Sequence, residues 1–595
     1  MMQRVPRAAS ALVTGLALFT AGACGENRTA YRAPPPGFVP EVDAGVACDD
    51  RCSLDGRSVV KCTGELVETC PTELACGNGR CQAQCAAAAA EGSSNGCEFF
   101  MQPPLLVATV FHSHSCYASY VVNTSTIPVD VELEFEGKAL DISKSMYRTL
   151  PGEATLAPHT GSIAPGDGVV LFLSDRPERA NRPATENAYT PCPQGATAAL
   201  YRDYYPNGTQ LGSSFHLRTN APVSAATIYP FGGAASVAPS ATLLLPVSTW
   251  SKENILINAW SAGRLFPPGA QIVASENDTE VTIFPKNDIQ DGIEVLGSPA
   301  GVPATYRLQK GQFLQLVQAQ ELTGSFITST KPTSIFAAHV AMDIPSDIGT
   351  ADLEGTQVPA FEQWGSEYVG VGYRPRAGDE REPVPYRIVA ARDGTRLDYD
   401  PVVPRGAPLE LNAGESAAFA SGTGDAFVVR TQDAEHPIHL AQYMSGQSGD
   451  YWGRTRDFRG QGDPEFVNVI AAGQYLTSAS FYADPTYSET SLVIVRAKTD
   501  GEFKDVTLEC LGAPIPDFRP VGTRGDYEWA RVDLSKAGRP GAKSGDDKAC
   551  FYGAHRLRSD GAFTATLWGW DAAASYAYPS GMATRKLVNA PLLTK

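Results

Sequence analysis

The 595-residue chain is poor in histidine, with 8, and its basic side chains are outnumbered, 48 Lys and Arg against 65 Asp and Glu. Each shortage excludes something. A formal charge of −17 repels polyanions, and with no local basic patch in view a nucleic-acid partner is not expected. The apolar run at residues 8–19 falls short of the roughly 20 residues a membrane-spanning helix needs. Catalytic signatures are missing as well. There is no HExxH, no GxSxG, no Walker loop and no EF-hand loop, so no enzyme activity and no cofactor are expected. Nothing resembles a long amphipathic helix. What is present is 56 Gly and 44 Pro among alternating Val, Ile, Tyr, Phe and Thr, the composition of a loop-rich sheet protein.

One phrase recurs four times: FHLRTNAPVSAATIY from Phe215, FITSTKPTSIFAAHV from Phe326, FVVRTQDAEHPIHLAQY from Phe427 and HRLRSDGAFTATLWGW from His555. Each reads as an alternating strand, a polar turn and a second strand. The copies lie about 110 residues apart, the size of one small β domain. Other segments repeat in the same order. QIVASENDTEVTIFP from Gln271 and RIVAARDGTRLDYDP from Arg387 read as hairpins with turns at Asn277-Asp278 and Asp393-Gly394. Strands preceded by a turn glycine follow around Gly166, Gly311 and Gly414. Trp250 and Trp364 occupy equivalent places and are read as module core. The expected fold is all-β, tandem sandwich-like repeats in units of about 102–235, 236–344, 345–447 and 448–587, with propeller-like blades as the alternative.

The first residues read as a delivery signal. Arg4 and Arg7 precede the short apolar run, and small residues lead to Cys24 in the manner of a bacterial lipobox. Residues 1–23 are therefore expected to be a lipoprotein signal peptide and Cys24 the lipidated terminus; Gly25 after it resembles lipoproteins passed to the outer membrane. Residues 24–47, with Pro34-Pro35-Pro36, read as an extended tether. Setting Cys24 aside leaves an even number of cysteines, suited to an oxidising compartment. Cys48, Cys52, Cys62, Cys70, Cys76, Cys81, Cys85 and Cys97 crowd a segment with too few large apolar residues for a core of its own. Disulfides, each worth roughly 2–4 kcal/mol, are expected to substitute for burial at 48–97. A zinc site is the rival reading there. Cys116 with Cys192 and Cys510 with Cys550 lie within single units and are expected to pair.

Several groups invite a chemical reading. His112, His114 and Cys116 offer a weak metal pattern, and Ser448, Asp450 and Arg454 near His436 and His439 a weak hydrolase pattern. Asp343, Asp347, Asp352 and Glu354 have carboxylates spaced for a hard cation, against which stands a solvated acidic loop, the preferred reading; no metal is expected. Ligand contacts are expected in inter-strand loops. Tyr451, Trp452 and Arg454, set among Gly449, Asp450 and Gly453, are the chosen trio, and Tyr201, Tyr204 and Tyr205 a second cluster with core cover as its equal alternative.

GCEFF from Gly96, SYVVNTSTIPVDVELEF from Ser119, LTGSFITSTKPTSIFAAHV from Leu322, VPAFEQWGSEYV from Val358 and IVAARDGTRLDYDP from Ile388 together resemble the IgGFc-binding protein N-terminal domain family. The resemblance covers roughly residues 96–581. It implies binding of an extracellular protein, and it carries over no ligand-contacting residue. The expectation is a surface-anchored binding or adhesion lipoprotein of the bacterial outer membrane. It would recognise an extracellular protein or glycan and touch the membrane only through its lipid. An exported hydrolase of envelope or extracellular polymers, its site spread over modules, is the alternative.

Overall fold

The computed structural model describes residues 50–592 apart from 54, 107–113, 150–154, 178–188, 203–206, 237, 264–265, 346–349, 379, 455–457, 459 and 544–548. The leader, Cys24, the tether and Cys48 lie outside the described residues. The fold is all-β, with one short α-helix, Gln84–Glu91, among the described residues.

The third module shows the plan most simply. Glu367–Gly370, Phe427–Thr431, Thr395–Asp400 and Glu410–Leu411 form one four-stranded antiparallel sheet; Ser416–Gly422, Pro383–Ala390, Ile438–Met444 and Glu465–Asn468 form the other. Alternation supplies the apolar face between them, as in Thr395, Leu397 and Tyr399, buried between exposed Arg396 and Asp398.

In the other modules the recurring phrase is not two strands with a turn but one long strand shared by both sheets. The first half of Phe215–Tyr229 pairs with Gly96–Met101 and Val131–Phe135, and the second half with Tyr117–Asn123 and Ser240–Leu243. Phe326–Asp343 and Gly553–Asp571 repeat this division with their own four neighbours. The polar residues read as a turn, such as Arg218-Thr219-Asn220, are the bend, where pairing with the neighbouring strand shifts register. An irregular residue there redirects the strand from one sheet to the other without ending it. Only the third copy breaks. Its longer insert forms a turn in which Asp433 Oδ1 accepts the N–H groups of Glu435 at 2.9 Å and His436 at 3.1 Å.

The two expected hairpins are also corrected. Pro268–Ala274 and Thr279–Phe284 flank the predicted turn but do not pair with each other. The former pairs with Gln312–Val317 and the latter with Ala304–Leu308, in opposite sheets. Pro383–Ala390 and Thr395–Asp400 behave alike. The turn residues reverse the chain across the sandwich rather than within a sheet. Strands after Gly166, Gly311 and Gly414 begin at Gly168, Gln312 and Ser416, and all three turn glycines have positive φ.

Pairing also moves the module limits. Ser240–Leu243, Ala351–Val358 and Glu465–Asn468 each bond to the long strand, or its counterpart, before them, so each closes its module instead of opening the next. The limits near 235, 344 and 447 therefore shift past 243, 358 and 468.

These closing strands pack on one another in a circuit: first on second, second on third, third on fourth through Ala574–Pro579, and fourth on first. Side chains tie successive members. Ser240 Oγ accepts Gly355 N–H at 3.2 Å, Asn468 Nδ2 donates to Gln357 O at 2.8 Å, and Ser575 Oγ donates to Asp463 O at 2.6 Å. The junctions between modules are linked too. Gln363 Nε2 donates to Thr249 O at 2.7 Å, and Gln474 Nε2 to Gln363 O at 3.0 Å. At the closure between fourth and first modules, Tyr120 stacks on Tyr482 with centroids 4.7 Å apart and bonds Asp484. Residues 49–595 are accordingly one compact unit. The sandwiches are arranged in a ring around their last strands.

Trp250 and Trp364 are buried as read, each donating its Nε1–H to a carbonyl five residues earlier at 3.0 Å, Leu245 and Pro359. The N-terminal segment has a minimal core of Val59, Cys70 and Cys76. Cys52–Cys76, Cys70–Cys81 and Cys85–Cys97 are bridged, and Cys62 is disulfide-bonded as well. Cys116–Cys192 and Cys510–Cys550 each close a loop within one module.

Candidate functional site

Where the third module meets the fourth, a groove of about 520 Å³ opens to solvent. It is lined by Pro401, Val402, Val403 and Arg405 from the connection after Thr395–Asp400, by Trp452 and Arg454, and by Pro520 and Trp529 of the fourth module. Val402 is 68% and Val403 45% exposed, an unusual state for adjacent valines. The Arg405 guanidinium lies 4.3 Å from the centroid of the Trp452 ring, a cation–π pair at the rim.

The loop carrying Trp452 is built around Asp450. This fully buried carboxylate accepts the N–H of Trp452 at 3.0 Å and of Arg454 at 3.1 Å on Oδ1, and Arg454 Nε at 2.9 Å on Oδ2. Bonding its own backbone two and four residues on lets an aspartate hold a loop without regular structure. Gly453, with φ of 71°, supplies the left-handed step. Below the groove the two modules are clasped. Asp400 accepts Thr523 N–H and Oγ1–H at 2.9 and 2.8 Å, and a Cβ on Gly522 would lie 2.3 Å from the Asp400 carboxylate. Only glycine admits that approach.

The structure separates the predicted trio. Trp452 and Arg454 line the groove, whereas Tyr451 turns inward, its ring edge-on to Trp260 at 6.4 Å and packed against the core cluster that contains it. Burial raises the Tyr451 hydroxyl above its ordinary value. Arg405 and Val402-Val403 were not foreseen. Their signal was two valines between prolines in a segment too short to bury them. Tyr201 is 48% exposed, and Tyr204 and Tyr205 lie outside the described residues.

The remaining candidates are dispersed. His436 bonds Asp433 at 2.7 Å, whereas His439 is buried, bonds Asn468 at 2.9 Å and is pushed down to about 4 by desolvation. Neither is bonded to Ser448 among the described residues. His112 lies outside the described residues, Cys116 is oxidised, and burial lowers His114 to about 3. The acidic segment after Met342 is a correction. Asp352 and Glu354 are not in a solvated loop but fully buried in the strand Ala351–Val358, because that strand closes its module at the ring axis; Asp347 lies outside the described residues.

A search of curated proteins finds no match. Among solved structures, a marsupial T cell receptor aligns at 11% identity over 56% of this chain and 99% of its own; its TM-score of 0.08 carries no argument about fold. Residues 240–569 match the family described as IgGFc binding protein, a span of more than half the chain that takes in the second and third modules and most of the fourth. The chain belongs to the IgGFc binding protein family.

Proposed function

We propose that the protein binds an extracellular protein through the groove between its third and fourth modules, while a lipid on Cys24 anchors it to the bacterial outer membrane. The observation that carries the binding reading is the Arg405–Trp452 pair beside exposed Val402 and Val403. A guanidinium stacked on an indole, next to apolar surface, suits a polypeptide segment that sets a carboxylate beside an aliphatic or aromatic side chain. Arg454 adds a second cation, 58% exposed in its side chain and held in place by Asp450. The wall loops are seated on a rigid clasp, so little ordering cost falls on binding.

Immunoglobulin Fc, the ligand named in the family's description, is the first probe. Alanine at Arg405, Trp452 and Arg454 together should weaken binding of purified Fc by at least about 30-fold, equivalent to about 2 kcal/mol. Calorimetric titration measures it, and unchanged affinity with an unchanged melting temperature would remove the groove from the account. If Fc does not bind the unaltered protein, pull-downs from extracellular protein mixtures, compared between the unaltered and triple-alanine chains, test the groove against other partners.

A further inference from the structure

The ring closes around a buried axis that is acidic. Asp352 and Glu354 enter it from the second module, Asp463 and Glu465 from the third, and none is more than 2% exposed. The first and fourth modules contribute Ser240 and Ser575. Glu354 Oε1 accepts Phe466 N–H at 2.9 Å and its Oε2 accepts the Ser240 hydroxyl at 3.3 Å. Both oxygens of Asp352 and both of Glu465 lack a hydrogen-bond partner among the described residues. The guanidinium nearby is bonded elsewhere, Arg376 donating to Glu382 at 2.8 Å and to Ser445 O at 2.8 Å, and it acts on Asp463 only through space, where it opposes the rise. Ionisable groups on the packed elements also include Asp343, His339, Tyr373, Tyr443, Tyr487, Tyr576 and Tyr578. His339 lies opposite Glu354 in register but bonds Ser261 O at 3.2 Å, and burial lowers it to about 4.

Four ionised carboxylates cannot share such a place without a counter-charge. We propose that the axis is a proton-loaded lock: Asp352, Glu354, Asp463 and Glu465 are neutral acids in the closed ring, and their ionisation drives the second and third modules apart. Protons, rather than a cation, are the neutralising species, because no three such side chains among the described residues converge on a point where one metal ion could sit. Their environment agrees. Burial raises all four; Asp463 and Glu354 raise Asp352 further, and Glu354 and Asp352 raise Glu465. Asp463 reaches about 7 and loses its proton as pH rises through neutrality.

For acids raised in the folded state, the stabilising contribution is complete below the unfolded value, about 4, and is lost as pH climbs through the folded value. For Asp463 that window runs from about 4 to about 7. The other three are raised as well and add to the loss in the same direction. The ring is thus tightest in mild acid.

The test compares the full chain with Asp352→Asn/Glu354→Gln/Asp463→Asn/Glu465→Gln, whose amides cannot ionise. The unaltered chain should lose several degrees of melting temperature between about pH 5 and pH 9 and expand in solution scattering, and the variant should do neither. Parallel pH profiles would overturn the proposal. So would a melting temperature lowered by chelator and restored by calcium, which would make a cation the neutralising species. If the variant does not fold, calorimetry of the unaltered chain at pH 7 in buffers of different ionisation heat counts protons. Net release on unfolding is expected, and none would sink the idea.

Discussion

Single residues in this protein act through where the ring places them. Trp452 and Arg454 were legible as loop residues because glycine and aspartate surround them, and turn chemistry is local. Tyr451, their neighbour, was not separable from them, since only the position of Trp260 from the second module decides that its ring turns inward. Asp352 and Glu354 show the same limit. A strand of alternating acidic residues reads as solvated, and nothing local reveals that three other modules cover it. Cys24 is the opposite case, a residue whose proposed role as lipid anchor rests on its sequence neighbours alone. Cys24→Ser should release the protein from the membrane fraction with its melting temperature unchanged. Recovery of the unaltered protein as a soluble species with a different mature terminus would refute the anchor.

At the scale of elements, strands and their turn residues were readable, but partners were not. Asp393-Gly394 does reverse the chain, yet the strands on either side belong to opposite sheets. Turn residues specify a change of direction; the sheet a strand joins is set by which apolar face it must bury. One contact between elements has a sharp consequence. Gly324 and Gly414, from successive modules, meet backbone to backbone, and a Cβ on Gly414 would lie 2.6 Å from the Gly324 carbonyl oxygen. Gly414 also has a φ of 71°. Gly414→Ala should therefore cost about 2–4 kcal/mol, strain and clash together. Gly394→Ala is the control: its φ is 64° and nothing lies within 4 Å of an added Cβ. Only about 1 kcal/mol of strain should appear there. Denaturant unfolding of both variants measures the difference.

For the whole molecule, a further closing contact joins the segment just before the first module to the segment just after the last strand. Ser94 donates its N–H to Met582 O at 2.8 Å, its hydroxyl accepts Met582 N–H at 3.1 Å, and Thr584 N–H reaches Gly92 O at 2.7 Å. The disulfide Cys85–Cys97 flanks this pairing on the N-terminal side. The cysteine-rich segment thereby leads directly into the clasp of the ring. Ser94→Ala leaves the buried Met582 amide short of an acceptor and should destabilise the protein by about 1–2 kcal/mol. Chemical denaturation checks this, and a neutral result would mean that the fourth and first modules are held by Tyr120, Tyr482 and Asp484 without it.

The sequence by itself determined that the protein is a repeated all-β chain with a disulfide-rich segment ahead of it, because period, alternation and cysteine count are properties of the chain read in order. Tertiary structure alone decided that the recurring phrase is a single bent strand, that the modules close into a ring, and that carboxylates lie at its axis. Those depend on contacts between residues about 110 positions apart, as from Gln363 to Gln474 and from Glu354 to Phe466. No local pattern encodes which of four similar modules a given face will meet.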